Sequence, residues 1–270
     1  MKKLFSDLLV SPDGKSYPLI DGIPILFASE GDSNNLYEQF YQSQAEPWAY
    51  SERAAEILRH EYVAEQVKTV YEKVGKKLIV LDLGCSLGHI TERLHPYSEL
   101  VVGLDISVTA VGKAKKRCEE LMQGQENPYQ FVVASTLDLP FHENSFDVVI
   151  ISDGIYEWFQ TEKERKITIE GVYRILKING MAIFTDYLSP KKFNEFAALI
   201  HASSLKVLRE EPFYDRLWYR LESWLKAFKK QAWAKKLLAD VVFARKLRSL
   251  AKRLGSNYSK HLAVIAQKLM

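Results

Sequence analysis

The stretch that decides the fold is Val80-Leu81-Asp82-Leu83-Gly84-Cys85-Ser86-Leu87-Gly88, an apolar strand pattern that runs into a glycine-containing turn. Such a turn, placed before a helix predicted over 86–95, lets backbone N–H groups face a ligand. The dinucleotide fingerprint GxGxxG would need glycine at 84, 86 and 89, but Ser86 and His89 occupy the last two of these positions. Asp82 would also repel a diphosphate and attract a cation. The loop therefore predicts a cofactor site for a ligand other than a dinucleotide.

Short apolar runs alternate with helical stretches along the rest of the chain, a pattern typical of a parallel βαβ sheet. The predicted strands are 78–83, 100–104, 131–133, 148–151, 181–185, 205–208 and 262–266. The other helices are predicted over 51–74, 107–122, 161–177 and 191–203 and within 214–254.

Asp105 closes the second predicted strand about 20 residues after Gly84, where an acidic side chain can accept hydrogen bonds from both ribose hydroxyls. A cofactor with a cationic amino acid end and an adenosine end would satisfy both Asp82 and Asp105. Either carboxylate alone could merely cap a turn. Together with the glycines, the two carboxylates favour a nucleoside cofactor.

Five motifs resemble those of class I S-adenosylmethionine-dependent methyltransferases of the small-molecule type, and they occur in that family's order. They are DLGCSLG at 82–88, VGLD at 102–105, LDLPF at 137–141, SFDVV at 145–149 and LKING at 176–180. The resemblance covers about 45–212 and the last strand. It implies a Rossmann-like α/β fold with a seven-stranded, mostly parallel sheet, an antiparallel last strand and a helical insertion between strands six and seven. It also implies S-adenosyl-L-methionine as cofactor and methyl transfer as activity.

By position, the resemblance also implies which residues bind the cofactor. They are Asp82, Gly84, Cys85, Ser86, Gly88, Asp105, Ile106, Ser135, Thr136, Leu137, Ser152 and Tyr50. Many relatives carry an acidic residue at the position of Ser135, so here the Ser135 hydroxyl and the Thr136 backbone are expected to hold the adenine. The segment 46–50 is similar to an Asp-Pro-Trp segment of a nodulation-type N-methyltransferase branch, in which it lies over the cofactor. Trp48 and Tyr50 are therefore expected to cover the methionine end.

Acceptor chemistry is expected after the fourth strand, because ligands of doubly wound sheets lie beyond the carboxyl ends of the strands. Methyl transfer needs in-line alignment and, for some acceptors, removal of a proton. Glu157 is the first candidate for that base and Asp153 the second. Glu157 could instead be a helix-entry residue that favours the dipole of the next helix.

The composition limits the class of protein. With 37 Lys and Arg against 34 Asp and Glu, the whole chain gives no global attraction to nucleic acid. Two cysteines and six scattered histidines predict a reduced, cytoplasmic protein with no metal site. No apolar run approaches the roughly 18 residues of a membrane span, and the N-terminal stretch predicts no signal peptide.

Three parts are predicted: a short β-rich head over 1–30, a methyltransferase domain over 31–212 and 258–270, and a basic helical cap over 213–257. The head is similar to a ribbon that precedes certain rRNA methyltransferases. The zinc-binding cysteines of those enzymes correspond here to Ser11 and Gly14, so no zinc is expected.

The segment 214–254 contains twelve Lys or Arg against three Asp or Glu, with apolar residues at helical spacing. It could be a lid with a solvated basic face, a site for an anionic or membrane-held acceptor, a peripheral membrane contact, or a nucleic-acid surface. RNA is disfavoured, because the head lacks zinc ligands and the rest of the chain is net negative. The predicted activity is methyl transfer to oxygen or nitrogen of a small or medium-sized, anionic or lipid-linked acceptor. The alternatives are an RNA methyltransferase and a catalytically silent cofactor-binding partner protein.

Overall fold

The computed structural model describes residues 8–10, 16–26, 32–156, 161–228 and 231–270. The strands are β1 (Leu8–Val10), β2 (Ser16–Ile20), β3 (Ile23–Pro24), β4 (Leu78–Leu83), β5 (Ser98–Asp105), β6 (Tyr129–Val133), β7 (Phe146–Ser152), β8 (Leu176–Tyr187), β9 (Lys206–Pro212) and β10 (His261–Gln267). The α-helices are α1 (Asp32–Ser43), α2 (Ala54–Val74), α3 (Val108–Leu121), α4 (Glu162–Ile175), α5 (Phe193–His201), α6 (Arg216–Trp224), α7 (Ala232–Leu238) and α8 (Val241–Leu254).

The last seven strands form one sheet in the order β6-β5-β4-β7-β8-β10-β9. The neighbours from β6 to β8 are parallel, and β10 inserts antiparallel between β8 and β9. This confirms the predicted Rossmann-like sheet with its antiparallel last strand. It also places the start of β10 at the carboxyl edge of the parallel strands, since His261 pairs with Tyr187 at the end of β8.

Apolar side chains cover both faces of the sheet, as the continuous apolar runs require. Successive residues of β4 point to opposite faces: Leu81 and Leu83 belong to one buried cluster, and Leu78 and Val80 to another. Helices α4 and α5 cover the first face, and α2 and α3 cover the second. Because helices cover both faces, the polar side chains that follow the strands are accessible at the carboxyl edge of the sheet.

The prediction of a helix over 86–95 is wrong. Two single 3₁₀ turns, Thr91–Arg93 and His95–Tyr97, stand there instead. The loop residues Ser86 and Gly88 both have positive φ, which no right-handed helix accommodates. Pro96 then removes a backbone donor just before β5 begins. No α-helix N-terminus from this segment faces the site.

The head contacts the edge strand β6, and the basic segment packs on α2. In the head, β1 to β3 form a small antiparallel sheet, and Ile25 continues it as a parallel bridge to Val133 on the edge strand β6. Helices α6 to α8 fall within the segment 213–257 and pack on α2. The division of the chain into three parts stays a prediction. Within the described residues, no helix combines the length and apolar character that crossing a bilayer requires.

Candidate active site

Gly84 forms the turn at the end of β4. Its φ is +80°, and the amides of Gly84 and Cys85 both donate to the Leu104 carbonyl on β5, at 2.7 and 2.9 Å. A Cβ added at Gly84 would meet no protein atom within 4 Å. The turn therefore holds its backbone beside open space rather than against a neighbouring element.

Asp105, at the end of β5, ties this loop to the start of α3. One carboxylate oxygen accepts the Ser86 N–H at 2.9 Å, and the other accepts the Ser107 N–H at 3.0 Å. The Ile106 N–H also interacts with this carboxylate, which has about four lone-pair positions, so at least one position remains for a ligand. Burial raises the pKa of Asp105, although these N–H groups act in the opposite direction.

A cavity, here called the first cavity, opens beside the loop and Asp105. Its described lining comprises Tyr37, Tyr41, Trp48, Tyr50, Gly84, Ser86, Asp105, Ile106, Ser135, Thr136, Leu137, Ser152, Asp153, Gly154 and Glu164. None of these residues is Lys or Arg, so the lining lacks the cations that a diphosphate would need. The Ser135 hydroxyl accepts the Leu137 N–H at 3.2 Å and so fixes the turn after β6.

Asp82 and Cys85 lie behind the first cavity rather than in its lining. Asp82 is buried and accepts the Thr91 hydroxyl at 2.6 Å. Burial raises the pKa of Asp82 to about 6, despite the opposing Thr91 bond. Both residues border a small cavity that shares Tyr50 and Ser86 with the first cavity. The Cys85 side chain itself belongs to the buried core.

Gly88 lies outside the described lining of both cavities and serves the packing of α3. A Cβ there would approach the Ala114 Cβ to 3.0 Å and its Cα to 3.2 Å, and φ is +78°. The resemblance implied a cofactor contact at Gly88. The close approach of the loop to α3 explains this glycine without one.

Gly88→Ala is therefore expected to destabilise the fold by more than its backbone conformation alone would. A positive φ costs a residue with a Cβ about 1–2 kcal/mol, and crowding against α3 adds about 1–3 kcal/mol. Gly124→Ala is the matched control, because Gly124 has φ +77° and nothing within 4 Å of an added Cβ. Urea denaturation measures both free energies of unfolding. Equal losses in the two variants would show that α3 does not require glycine at 88.

A second cavity of about 590 Å³ adjoins the first. Its described lining comprises Leu36, Tyr37, Phe40, Trp48, Tyr50, Arg53, Glu56, Asp153, Tyr156, Asp186, Tyr187 and His261. Tyr37, Trp48, Tyr50 and Asp153 line both cavities. A ligand in either cavity would therefore contact residues that also line the other cavity.

Asp153, the second candidate base, stands at this junction. The Arg59 guanidinium binds one of its oxygens at 2.8 Å, and Arg59 also contacts the predicted residue Ser152. The other oxygen, Oδ1, is buried with no hydrogen-bond partner in the part of the chain that the structure describes, and it lies 3.7 Å from Nε2 of His261. Glu157, the first candidate base, lies outside the described residues.

His261 and Asp215 form a buried pair that sequence reasoning missed. His261 Nδ1 lies 2.5 Å from Asp215 Oδ2, and the Lys260 N–H donates to the other Asp215 oxygen at 2.7 Å. His261 Nε2 has no hydrogen-bond partner among the described residues. Burial by itself would lower the pKa of His261, but the carboxylates of Asp215 and Asp153 raise it overall. The last strand was predicted to be antiparallel, but no motif or spacing links Asp215 to His261, which lies 46 positions further along the chain.

Buried carboxylates shape the electrostatics of the second cavity. Burial and the neighbouring Asp153 raise the pKa of Asp186 to about 7. Burial also opposes ionisation of Glu56, yet Arg59 overcomes it and holds the pKa of Glu56 well below its usual range. Three carboxylates thus stand in the described lining against Arg53 and His261.

The fold also gathers donor atoms of Glu56, Asp153 and His261 within 4.8 Å of one another, although the sequence shows no metal-ligand spacing. Arg59 binds both of these carboxylates at 2.8 Å. A metal ion would have to displace this guanidinium. The expectation of no metal site stays a prediction.

Comparison with known proteins is consistent with this geometry. Residues 80–180 match the family described as a methyltransferase domain. A stretch of 114 residues, 42% of the chain, is 34% identical to an uncharacterized methyltransferase of Synechocystis sp. and spans about half of that protein's length. A stretch of 205 residues is 26% identical to demethylmenaquinone methyltransferase of Lactococcus lactis, covering 73% of each chain.

The fold matches that of N-methyltransferase NodS from Bradyrhizobium japonicum, solved in complex with S-adenosyl-L-homocysteine. The TM-score is 0.59 at 13% identity, over 88% of this chain and 99% of NodS. Residues 80–180 match the methyltransferase-domain family, and the sheet that contains them has the fold of the solved methyltransferase NodS.

Proposed function

We propose that the protein transfers the methyl group of S-adenosylmethionine to oxygen or nitrogen of a small or medium-sized acceptor held in the second cavity. The observation that carries this proposal is the junction of the two cavities at Tyr50 and Asp153. A cofactor in the first cavity and an acceptor in the second would meet there.

The residues of the first cavity fit S-adenosylmethionine. Asp105 keeps acceptor capacity that a ribose hydroxyl could use, and Gly84 leaves open space where any other residue would place a Cβ. Ser135 and Thr136 lie in the lining at the place proposed for the adenine. The acidic lining without Lys or Arg suits a cationic sulfonium. The proposed cofactor residues Asp105, Ser135 and Thr136 thus border one space.

When bound, the cofactor supplies a methyl group activated by positively charged sulfur. The chain must hold the acceptor in line, exclude water and take up a proton where the acceptor loses one. We assign the last task to His261, because Asp215 fixes the proton on Nδ1 and Nε2 has no hydrogen-bond partner within the described residues. Asp153 remains the second proposed base, because its Oδ1 lies 3.7 Å from Nε2 of His261.

The charge of the second cavity bears on the acceptor. Carboxylates of Glu56, Asp153 and Asp186 outnumber the cationic groups, and Glu222 also binds Arg53 at 2.8 Å. Arg59 is held by Glu56 and Asp153, and Arg53 by Glu222, so an anionic reacting group would have to compete with these carboxylates for either guanidinium. The reacting end that we propose is a hydroxyl or an amine, and any anionic or lipid-linked part of the acceptor would lie outside the cavity.

Two measurements test the proposed function. Calorimetry should show saturable binding of S-adenosylhomocysteine, and methyl-labelled S-adenosylmethionine incubated with cell extract should yield a labelled small product that resists nuclease. Binding without any labelled product would favour the silent cofactor-binding protein. A product destroyed by ribonuclease would favour the RNA methyltransferase. Failure to bind S-adenosylhomocysteine would contradict the proposal altogether.

A further inference from the structure

Large apolar side chains are exposed on the outer side of the segment 213–257. Trp224 is 79% exposed, Val242 is 65% exposed and Trp233 is 54% exposed. The others are Phe228, Leu250 and Leu254, each about half exposed. Phe228 and Trp233 contact each other, with ring centroids 5.7 Å apart. Exposed apolar groups clustered in this way mark an interaction site more often than single exposed residues do.

These side chains are not left over from an unfinished core. The same segment buries another set of residues, Trp218, Leu225, Leu238 and Ala244, in a cluster with Ala54, Ala55 and Leu58 of α2. Each helix therefore has an inner side that packs on the domain and an outer side that is apolar as well. A lid that only capped the second cavity would need the inner side alone.

The acidic residues of the segment are engaged elsewhere. Asp215 binds His261, Glu222 binds Arg53 just before α2, and Asp240 accepts the Phe243 N–H as the N-cap of α8. The outer side keeps exposed basic residues that make no ion pair with a described acid. They are Arg220, Lys226, Lys235, Lys236, Lys246, Lys252 and Arg253. The outer side is therefore basic without internal compensation.

Basic and apolar side chains alternate over the same surface. On α8, Val242, Lys246 and Arg253 share the face opposite the buried Ala244, and Leu250 lies beside them. Helices that lie in a membrane interface combine such features: Trp, Phe and Leu enter the acyl boundary while Lys and Arg contact anionic headgroups.

We propose that the outer side of α6, α7 and α8, here called the interfacial surface, docks on a lipid bilayer that contains anionic lipids. Nucleic acid would also suit the positive charge, and aromatic rings could stack on bases. Val242, Leu250 and Leu254 decide between the two, because aliphatic side chains gain from entering the acyl region and add nothing to a phosphate contact. The docking is independent of methyl transfer and does not require the proposed function.

Vesicle flotation tests the proposal on the full chain. Vesicles of phosphatidylcholine alone should retain little protein, whereas vesicles in which phosphatidylglycerol replaces about a third of the lipid should bind it saturably. Binding should weaken as salt rises, and tryptophan fluorescence should shift to shorter wavelength on binding. Absence of binding to the anionic vesicles would overturn the proposal.

Two variants separate the contributions of insertion and charge. The double variant Trp224→Ser, Trp233→Ser and the triple variant Lys235→Gln, Lys236→Gln, Lys246→Gln should each weaken binding about tenfold or more. The matched controls are Leu121→Ser with Ile178→Ser, and Lys76→Gln with Lys163→Gln and Lys206→Gln. These are exposed residues outside the segment.

Unchanged binding of the controls is the expected result, and S-adenosylhomocysteine affinity reports that each variant is folded. If the controls and the variants lost vesicle binding equally, the binding would not depend on the interfacial surface, and this would contradict the proposal. Saturable binding of polyuridylate at physiological salt that excludes vesicles from the same protein would assign the interfacial surface to nucleic acid instead.

Discussion

His261→Gln is expected to lower the rate of methyl transfer by about 10²–10⁴-fold, the usual contribution of a positioned base. Glutamine cannot accept the proton that Nε2 would take. The affinity for S-adenosylhomocysteine should stay nearly unchanged, because His261 lies outside the described lining of the first cavity. Single-turnover rates and calorimetry measure the two effects separately.

His201→Gln is the matched control, since His201 pairs with Glu210 at 2.8 Å on the exposed side of α5. It should leave the rate within about twofold, as expected for a surface substitution. A rate for His261→Gln equal to that of wild type would remove His261 from the reaction. Asp153→Asn would then test the second proposed base.

The pH profile tests whether Asp215 positions His261. The carboxylates of Asp215 and Asp153 raise the pKa of His261 above its ordinary value, so activity should rise with pH through that raised pKa as Nε2 loses its proton. Two other charged groups interact with Asp153 beside His261: the carboxyl of Asp186, whose pKa is about 7, and the Arg59 guanidinium. Asp215→Asn should move the rising limb to lower pH, and an unmoved limb would contradict the pairing.

The same shift affects folding stability. Because the pKa of His261 is raised in the folded state, protonated His261 contributes stability that is fully present below about pH 6.5, the ordinary value. That contribution is lost as pH rises through the folded pKa. The difference in melting temperature between wild type and His261→Gln should therefore shrink as the pH rises above the folded pKa of His261.

Asp105→Ala is expected to weaken the binding of S-adenosylmethionine by about 2–3 kcal/mol, or roughly 30- to 150-fold. The variant removes the acceptor proposed for the ribose hydroxyls. It also leaves the Ser86 and Ser107 amides without their partner, so the loop itself should loosen. Calorimetry with S-adenosylhomocysteine measures the loss.

Asp138→Ala serves as the control, because Asp138 is an exposed carboxylate in the segment after β6. It should change the affinity by less than about threefold, since an exposed charge is screened by solvent. Wild-type affinity in Asp105→Ala would contradict the assignment. Saturation of the wild-type protein by micromolar NAD would contradict the choice of cofactor.

The parallel part of the fold was predictable because its signals are local. Each strand reads as a short apolar run, and both faces of the sheet need apolar cover, so the sequence predicted strands β4 to β8 and their helices. The same reasoning failed over 86–95, where spacing suggested a helix. Positive φ at Ser86 and Gly88 and the ring of Pro96 prevent one.

By itself, the sequence determined the methyltransferase motifs, the sheet and the loop that borders the first cavity, since these follow from contiguous motifs. Only the tertiary structure decided the second cavity. Arg59 reaches Ser152 across 93 positions, and Asp215 reaches His261 across 46. Such contacts leave no spacing in the sequence, because packing rather than chain proximity brings Arg59 of α2 to the end of β7 and Asp215 to the start of β10.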